Sequence, residues 1–135
     1  MTDCIFCKII SGEIPCHKVY EDDKFLAFLD INPISFGHTL LIPKNHYRWV
    51  YDIPEFGELW QVAQKIALAI KKSSINSEYI SFLTMGREVA HAHIHIIPRS
   101  TDDSVQPILH TIPHVKATET QFIEITNNIK NLIQK

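Results

Sequence analysis

The stretch Val89–Arg99, VAHAHIHIIPR, sets three histidines at alternate positions: His91, His93 and His95. On a β-strand, residues two apart point to the same side, so the three imidazoles share one face with about 6–7 Å between neighbours. Ala92, Ile94 and Ile96 take the other face and read as core. A helix would scatter the histidines, because residues i and i+2 do not face each other there. The β-branched Val89, Ile94, Ile96 and Ile97 favour a strand, and Pro98 is expected to end it. Three histidines on a core strand each need a hydrogen-bond partner or water, which favours chemistry over packing. Two chemistries fit. Alternate histidines on a strand make a bidentate zinc arrangement. Alternatively, one neutral imidazole attacks phosphorus while an acceptor holds its second nitrogen. On the residues alone, both stay open.

Working outward, Tyr79 to Thr84 reads as a strand that Met85-Gly86-Arg87 turns into the histidine strand, the two pairing antiparallel. Upstream, Asp3 to Ile10 reads as a short helical turn closed by Ser11-Gly12. His17–Tyr20 and Phe25–Leu29 make a hairpin around a polar turn. Asn32-Pro33 breaks the chain, and His38 to Ile42 is a third strand closed by Pro43. From Asp52 or Pro54 the period becomes helical, with Phe56, Leu59, Trp60, Ala63, Ile66, Ala67 and Ile70 as one apolar stripe. After Pro98 comes a long polar stretch with Pro107 and Pro113, in which His110 and His114 read as solvated. A second amphipathic helix follows, with Phe122, Ile125, Ile129 and Leu132 or Ile133 as its face. Strands interrupted by one helix imply an α+β class with an antiparallel sheet.

The 135 residues suffice for one domain with a sizeable core. With 45% hydrophobic and 21% charged residues, the composition is that of an ordinary globular protein. A net charge of −2 argues against a nucleic-acid polymer as partner, though not against small phosphorylated ligands. No apolar run reaches membrane-spanning length, and nothing like a signal peptide precedes the polar Thr2-Asp3. Three cysteines, two of them spaced Cys4-x-x-Cys7, argue against a disulfide framework and for a reducing, cytoplasmic setting. One such pair is half of a zinc site. Cys16 and His17 read as incidental.

The run His91-Ala-His93-Ile-His95-Ile-Ile resembles the signature of the histidine-triad (HIT) family of nucleotide hydrolases and transferases. "CIFCKIISGEIP", "VYEDDKFLAFLDINPISFGHTLLIPKNH" and "REVAHAHIHIIPR" are similar to that family's stretches, in its order. They are nearest the histidine-triad nucleotide-binding (Hint-like) branch. The resemblance covers residues 3–99 and leaves 100–135 as a C-terminal extension of a single domain. It implies a HIT-like fold: an antiparallel sheet of about five strands with a central helix and a C-terminal helix. It further implies that His93 is the nucleophile, attacking the α-phosphorus of a purine nucleotide ester or phosphoramidate to give a nucleotidyl-imidazole. His95 and His38 would contact the phosphate. Asp30 would bind the ribose hydroxyls, although an Asp before Asn-Pro is equally a turn cap. Phe6, Ile9, Phe28 and Ile31 would hold the base, although plain core packing is the commoner fate of such residues.

The same resemblance implies a structural zinc on Cys4, Cys7, His46 and His91, and a homodimer formed by edge-to-edge pairing of two sheets. The sequence departs from the family between its last two strands. "TMGR" replaces a longer Gly-rich loop, with Thr84 and Arg87 at positions where relatives carry Asn and Gln. Glu88 stands where a small hydroxyl residue near the leaving group is common. Arg87, on the face of His91 and His93 by strand alternation if no bulge intervenes, is expected either to grip phosphate or, beside Gly86, to be a solvated turn residue. A non-catalytic nucleotide-binding protein and a zinc hydrolase using the triad as ligands are the competing expectations.

Overall fold

The computed structural model describes residues 3–100 and 115–133. The chain begins with a helix, α1 (Ile5–Ser11), and a hairpin, β1 (Lys18–Glu21) and β2 (Phe25–Leu29), followed by β3 (Thr39–Pro43). A single 3-10 turn (Val50–Asp52) leads into the long helix α2 (Phe56–Lys72). Then come β4 (Tyr79–Leu83), β5 (Ile94–Arg99) and α3 (Glu119–Leu132). The strands form one antiparallel sheet in the order β1-β2-β3-β5-β4. The α+β class and five-stranded sheet expected from the sequence are found. His110 and His114 lie outside the described residues. Among the described residues, no helix is long and apolar enough to cross a membrane.

Strand alternation divides the core. Phe25, Ala27, Leu29, Leu41, Ile94 and Ile96 pack against Leu59, Ala63, Ile66 and Ile70 of α2 and Ile129 of α3. Leu26, Phe28, Leu40 and Ile42 point the other way and pack against Phe6 and Ile9 of α1. Both faces of β2 and β3 are covered, so every residue of these strands is buried. Burying an apolar side chain of this size contributes roughly 1.5–3 kcal/mol. The capping of α3 is complete: Thr118 accepts from the Gln121 N–H, and the Gln121 side chain accepts from the Thr118 N–H.

Four expectations are corrected. The strand expected from Val89 begins only at Ile94, so of the triad only His95 lies on a regular strand. The Ala92 N–H leaves the ladder for the Tyr47 carbonyl at 2.7 Å, which bends the chain just before β5. Pro98 does not end β5. It sits inside it, opposite Ile80, and Arg99 continues the strand. Finally, β4 and β5 are not joined by a tight turn: residues 84–93 form an irregular connection. His17 is not incidental either. Its ring stacks on Phe122 at 5.0 Å and its Nε2 lies 3.4 Å from Glu119, which ties α3 to the start of β1.

Candidate active site

Leu40 of β3 pairs directly with His95 of β5, so His95 joins the face on which α1 packs. His38, two residues before Leu40, falls on the same side. His93 reaches that side too, with its ring 5.1 Å from the His95 ring and 5.3 Å from Phe6. His91 and His93 precede the strand, and contact with the Phe6 ring, at 5.8 Å and 5.3 Å, keeps both on the α1 side.

The His38, His93 and His95 rings line a cavity of about 400 Å³ between α1 and the sheet. Its walls include Phe6, Ile9, Phe28, Ile31, Asp30, His38, His93 and His95. Mostly apolar walls with a few convergent polar groups are the usual make-up of a small-molecule site. Ile31 is 70% exposed, and Phe6, Ile9 and Phe28 belong to the core as well as to the wall. Arg87 does not join them: its side chain is exposed and lies outside the cavity wall. Strand alternation does not apply at residue 87, because the chain there is bent rather than extended. A second cleft, about 490 Å³, lies beside α3, and none of the described residues lining it is a histidine or cysteine.

Hydrogen bonds fix the imidazole tautomers. His93 Nδ1 is 2.8 Å from the His91 carbonyl oxygen, so Nδ1–H donates and Nε2 keeps its lone pair. The Ile34 N–H donates to His38 Nδ1 at 3.1 Å. His38 therefore carries its proton on Nε2, which lies 2.9 Å from His95 Nδ1. His95 in turn holds its own proton on Nε2. Asp30 Oδ2 approaches His38 Nε2 at 3.6 Å, and Asp30 Oδ1 accepts from the Asn32 N–H. Burial pushes the Asp30 carboxyl above its usual value, against the Asn32 hydrogen bond. Burial pushes the His93 imidazole below its usual value, and its hydrogen bond to His91 and the nearby Glu88 carboxylate only partly oppose this. A neutral imidazole with a free Nε2 is the form that can attack phosphorus.

His91 turns toward a second group. Its Nε2–H donates to the Pro43 carbonyl at 2.8 Å, leaving Nδ1 with the lone pair. That Nδ1 lies 3.3 Å from Cys4 Sγ and 3.6 Å from Cys7 Sγ, and His46 Nδ1 lies 3.4 Å from Cys7 Sγ. All four donor atoms lie within 4.8 Å of one another. Tetrahedral zinc holds S and N ligands about 3.6 Å apart, so this donor set fits. Cys4 caps α1 and accepts from the Cys7 N–H, which brings the two sulfurs to one side of the first turn. His95, with Asp30 and His38, forms a separate cluster, and His93 belongs to neither. The triad is therefore not gathered around a single metal position.

The HIT domain family matches residues 11–102. The chain belongs to the HIT family. Among its relatives, the adenosine 5'-monophosphoramidase HNT1 of Saccharomyces cerevisiae is 37% identical over 134 residues, covering 98% of this chain and 82% of that protein. The adenylylsulfatase HINT3 of Arabidopsis thaliana is 42% identical over 107 residues, 75% of this chain and 54% of that protein. A Zn-bound histidine triad family protein from Mycobacterium smegmatis superposes with a TM-score of 0.80 at 30% identity, over 97% of this chain and 93% of that one. The HIT membership and the Hint-like relatives expected from the sequence are thus found.

Within this HIT chain, the 84–93 connection holds what the motif does not contain. Thr84 Oγ1 donates to the His93 carbonyl at 2.8 Å. Arg48 donates to the Gly86 carbonyl, and its guanidinium lies 3.8 Å from the centre of the Trp49 ring. Gly86 is buried with φ +74, and a Cβ there would meet the Trp49 ring at 3.2 Å. Nothing in the local sequence marks Arg48, since its partner is 38 residues away.

Proposed function

We propose that this HIT protein hydrolyses purine nucleoside phosphoramidates or related esters of a nucleoside monophosphate through a covalent nucleotidyl-His93 intermediate. One observation carries the reading: the His93 Nδ1–H is spent on the His91 carbonyl, so Nε2 meets the cavity as a lone pair. In the first step Nε2 bonds to the α-phosphorus as the bond to the leaving amine breaks. The amine departs with the bonding pair and takes a proton from water. The His91 carbonyl stabilises the charge that develops on the ring. In the second step water attacks phosphorus, the P–N bond to His93 breaks, its electron pair returns to Nε2, and the water proton passes to solvent. His95 Nε2–H, oriented through His38, is the donor for a phosphoryl oxygen. Asp30 accepts from the ribose hydroxyls, and Phe6, Ile9, Phe28 and Ile31 enclose the base. Names borne by relatives, a monophosphoramidase and an adenylylsulfatase, agree with this substrate class.

We read Cys4, Cys7, His46 and His91 as a structural zinc site, since four protein ligands leave no open position for substrate. Bound there, the metal would hold α1 to the bend before His93. Tyr79 and Phe82 are exposed on the edge strand β4, with Phe82 against Trp60 of α2, and support a homodimer. The test of the hydrolase reading is turnover of adenosine 5'-phosphoramidate. Wild type should release adenosine monophosphate, and folded His93→Ala should lose that activity by at least about 10³-fold. Retention within a few-fold would remove His93 from the nucleophile role.

A further inference from the structure

We propose that Glu88 makes the site selective for substrates whose leaving group carries a positive charge, such as a nucleoside phosphoramidate of a diamine. The inference rests on the hydrolase reading above and adds the leaving-group class to it. Among the described residues that line the cavity, none is Lys or Arg, while two are carboxylates, Asp30 and Glu88. Asp30 stands by His38 and Asn32, on the ribose side of the proposed site. Glu88 comes from the 84–93 connection with Met85 and Val89, which line the cavity along with His93.

The loop that carries Glu88 is tied at several points. Thr84 holds the His93 carbonyl, Arg48 holds the Gly86 carbonyl, and the Trp49 ring packs under Gly86 where no Cβ fits without a shift. Glu88 follows two residues later. Neither nearby guanidinium lines the cavity: Arg48 is held by the Gly86 carbonyl and the Trp49 ring, and Arg87 is exposed and outside the wall. An anionic phosphoryl group seated at His93 therefore meets a carboxylate. A leaving group with an ammonium beyond the scissile bond pairs with that carboxylate and removes the conflict, whereas a neutral or acidic one does not.

The test compares two adenosine 5'-phosphoramidates of similar length, one of 1,3-diaminopropane and one of n-butylamine. For wild type, kcat/KM should favour the cationic substrate by about fivefold, the scale of a partly exposed ion pair. The preference should shrink as salt is raised, fall to about one in Glu88→Gln and survive in Glu88→Asp. The same ratio in wild type and Glu88→Gln would overturn the assignment. Binding of both compounds to His93→Ala, measured by calorimetry, reads the preference without any turnover. If wild type cleaves neither compound, the hydrolase reading fails and calorimetry alone decides. A fivefold affinity difference that vanishes on adding Glu88→Gln supports the selectivity. Equal affinities, or no binding of either compound, overturn it.

Discussion

His38 Nε2 lies 2.9 Å from His95 Nδ1 and 3.6 Å from Asp30 Oδ2, while the Ile34 N–H occupies the other His38 nitrogen. One backbone amide thus sets the tautomer of two histidines in series. The chain starts at a backbone group that cannot titrate, so a neutral His95, which lines the cavity, holds its proton on Nε2.

In His38→Ala, His95 loses the donor that fixes its ring, and kcat should fall by about 10- to 100-fold, the scale of one hydrogen bond to a charged group. KM should change little, because His38 acts through His95. Steady-state kinetics with adenosine 5'-phosphoramidate checks this. A loss confined to KM would place His38 in ground-state binding instead.

Asp30 gives a pH dependence of definite sign. Burial raises its folded pKa above the unfolded value, so its contribution to stability is fully present in acid and is lost as pH rises through the folded pKa. At neutral pH the ionised carboxylate is thus a cost. Asp30→Asn should melt higher than wild type at pH 7, with the gap closing as pH falls below the ordinary carboxylate range. The same variant should bind adenosine more weakly at pH 7. Melting curves and calorimetry across pH 3–7 check both halves (roughly the span of a carboxyl titration).

Tyr20 and Asp22 give a second window. The Tyr20 hydroxyl donates to Asp22 Oδ2 at 2.5 Å, and burial with this bond pushes the tyrosine up to about 12. The stability it contributes is present below the usual phenol value and lost as pH rises through the folded one. Tyr20→Phe should therefore flatten the alkaline decline of stability between pH 10 and 12. An unchanged alkaline limb in chemical denaturation would contradict the shift.

For the metal, protein purified without chelator should carry about one zinc per chain, because the donor atoms of Cys4, Cys7, His46 and His91 lie within 4.8 Å of one another, a spacing that fits four-coordinate zinc. Cys4→Ser with Cys7→Ser should lose it and melt at a lower temperature, since binding to a folded site is folding free energy. Elemental analysis and calorimetric scans measure both. Zinc-free wild-type protein, or a variant with unchanged metal, would contradict the assignment.

The sequence made much of this legible where a local pattern decides the matter. The short apolar runs Phe25–Leu29 and Thr39–Pro43 between turn residues, and the helical stripe from Leu59 to Ile70, correspond to β2, β3 and α2. The face shared by His91, His93 and His95 was legible from their alternate spacing. What misled was the continuity of that pattern into Val89–His93. There the ladder is broken by long-range bonds, Ala92 to Tyr47 and the His91 carbonyl to the His93 ring. Such partners leave no local mark. Arg87, the residue placed by extrapolating the strand, is accordingly the site residue that the fold leaves outside the cavity. Cys4 and Cys7 announce half a metal site, but their proximity to His46 and His91 comes from the packing of α1 against the sheet.

Trapping the intermediate tests the covalent role proposed for His93. Enzyme mixed with excess adenosine 5'-phosphoramidate and denatured within milliseconds in alkali, where a phosphorus–imidazole bond survives, should carry one nucleoside monophosphate. Peptide mass spectrometry should place it on His93, and on no residue in His93→Ala. Rapid turnover by wild type with no histidine adduct, or an adduct on His95 or His38, would contradict the account.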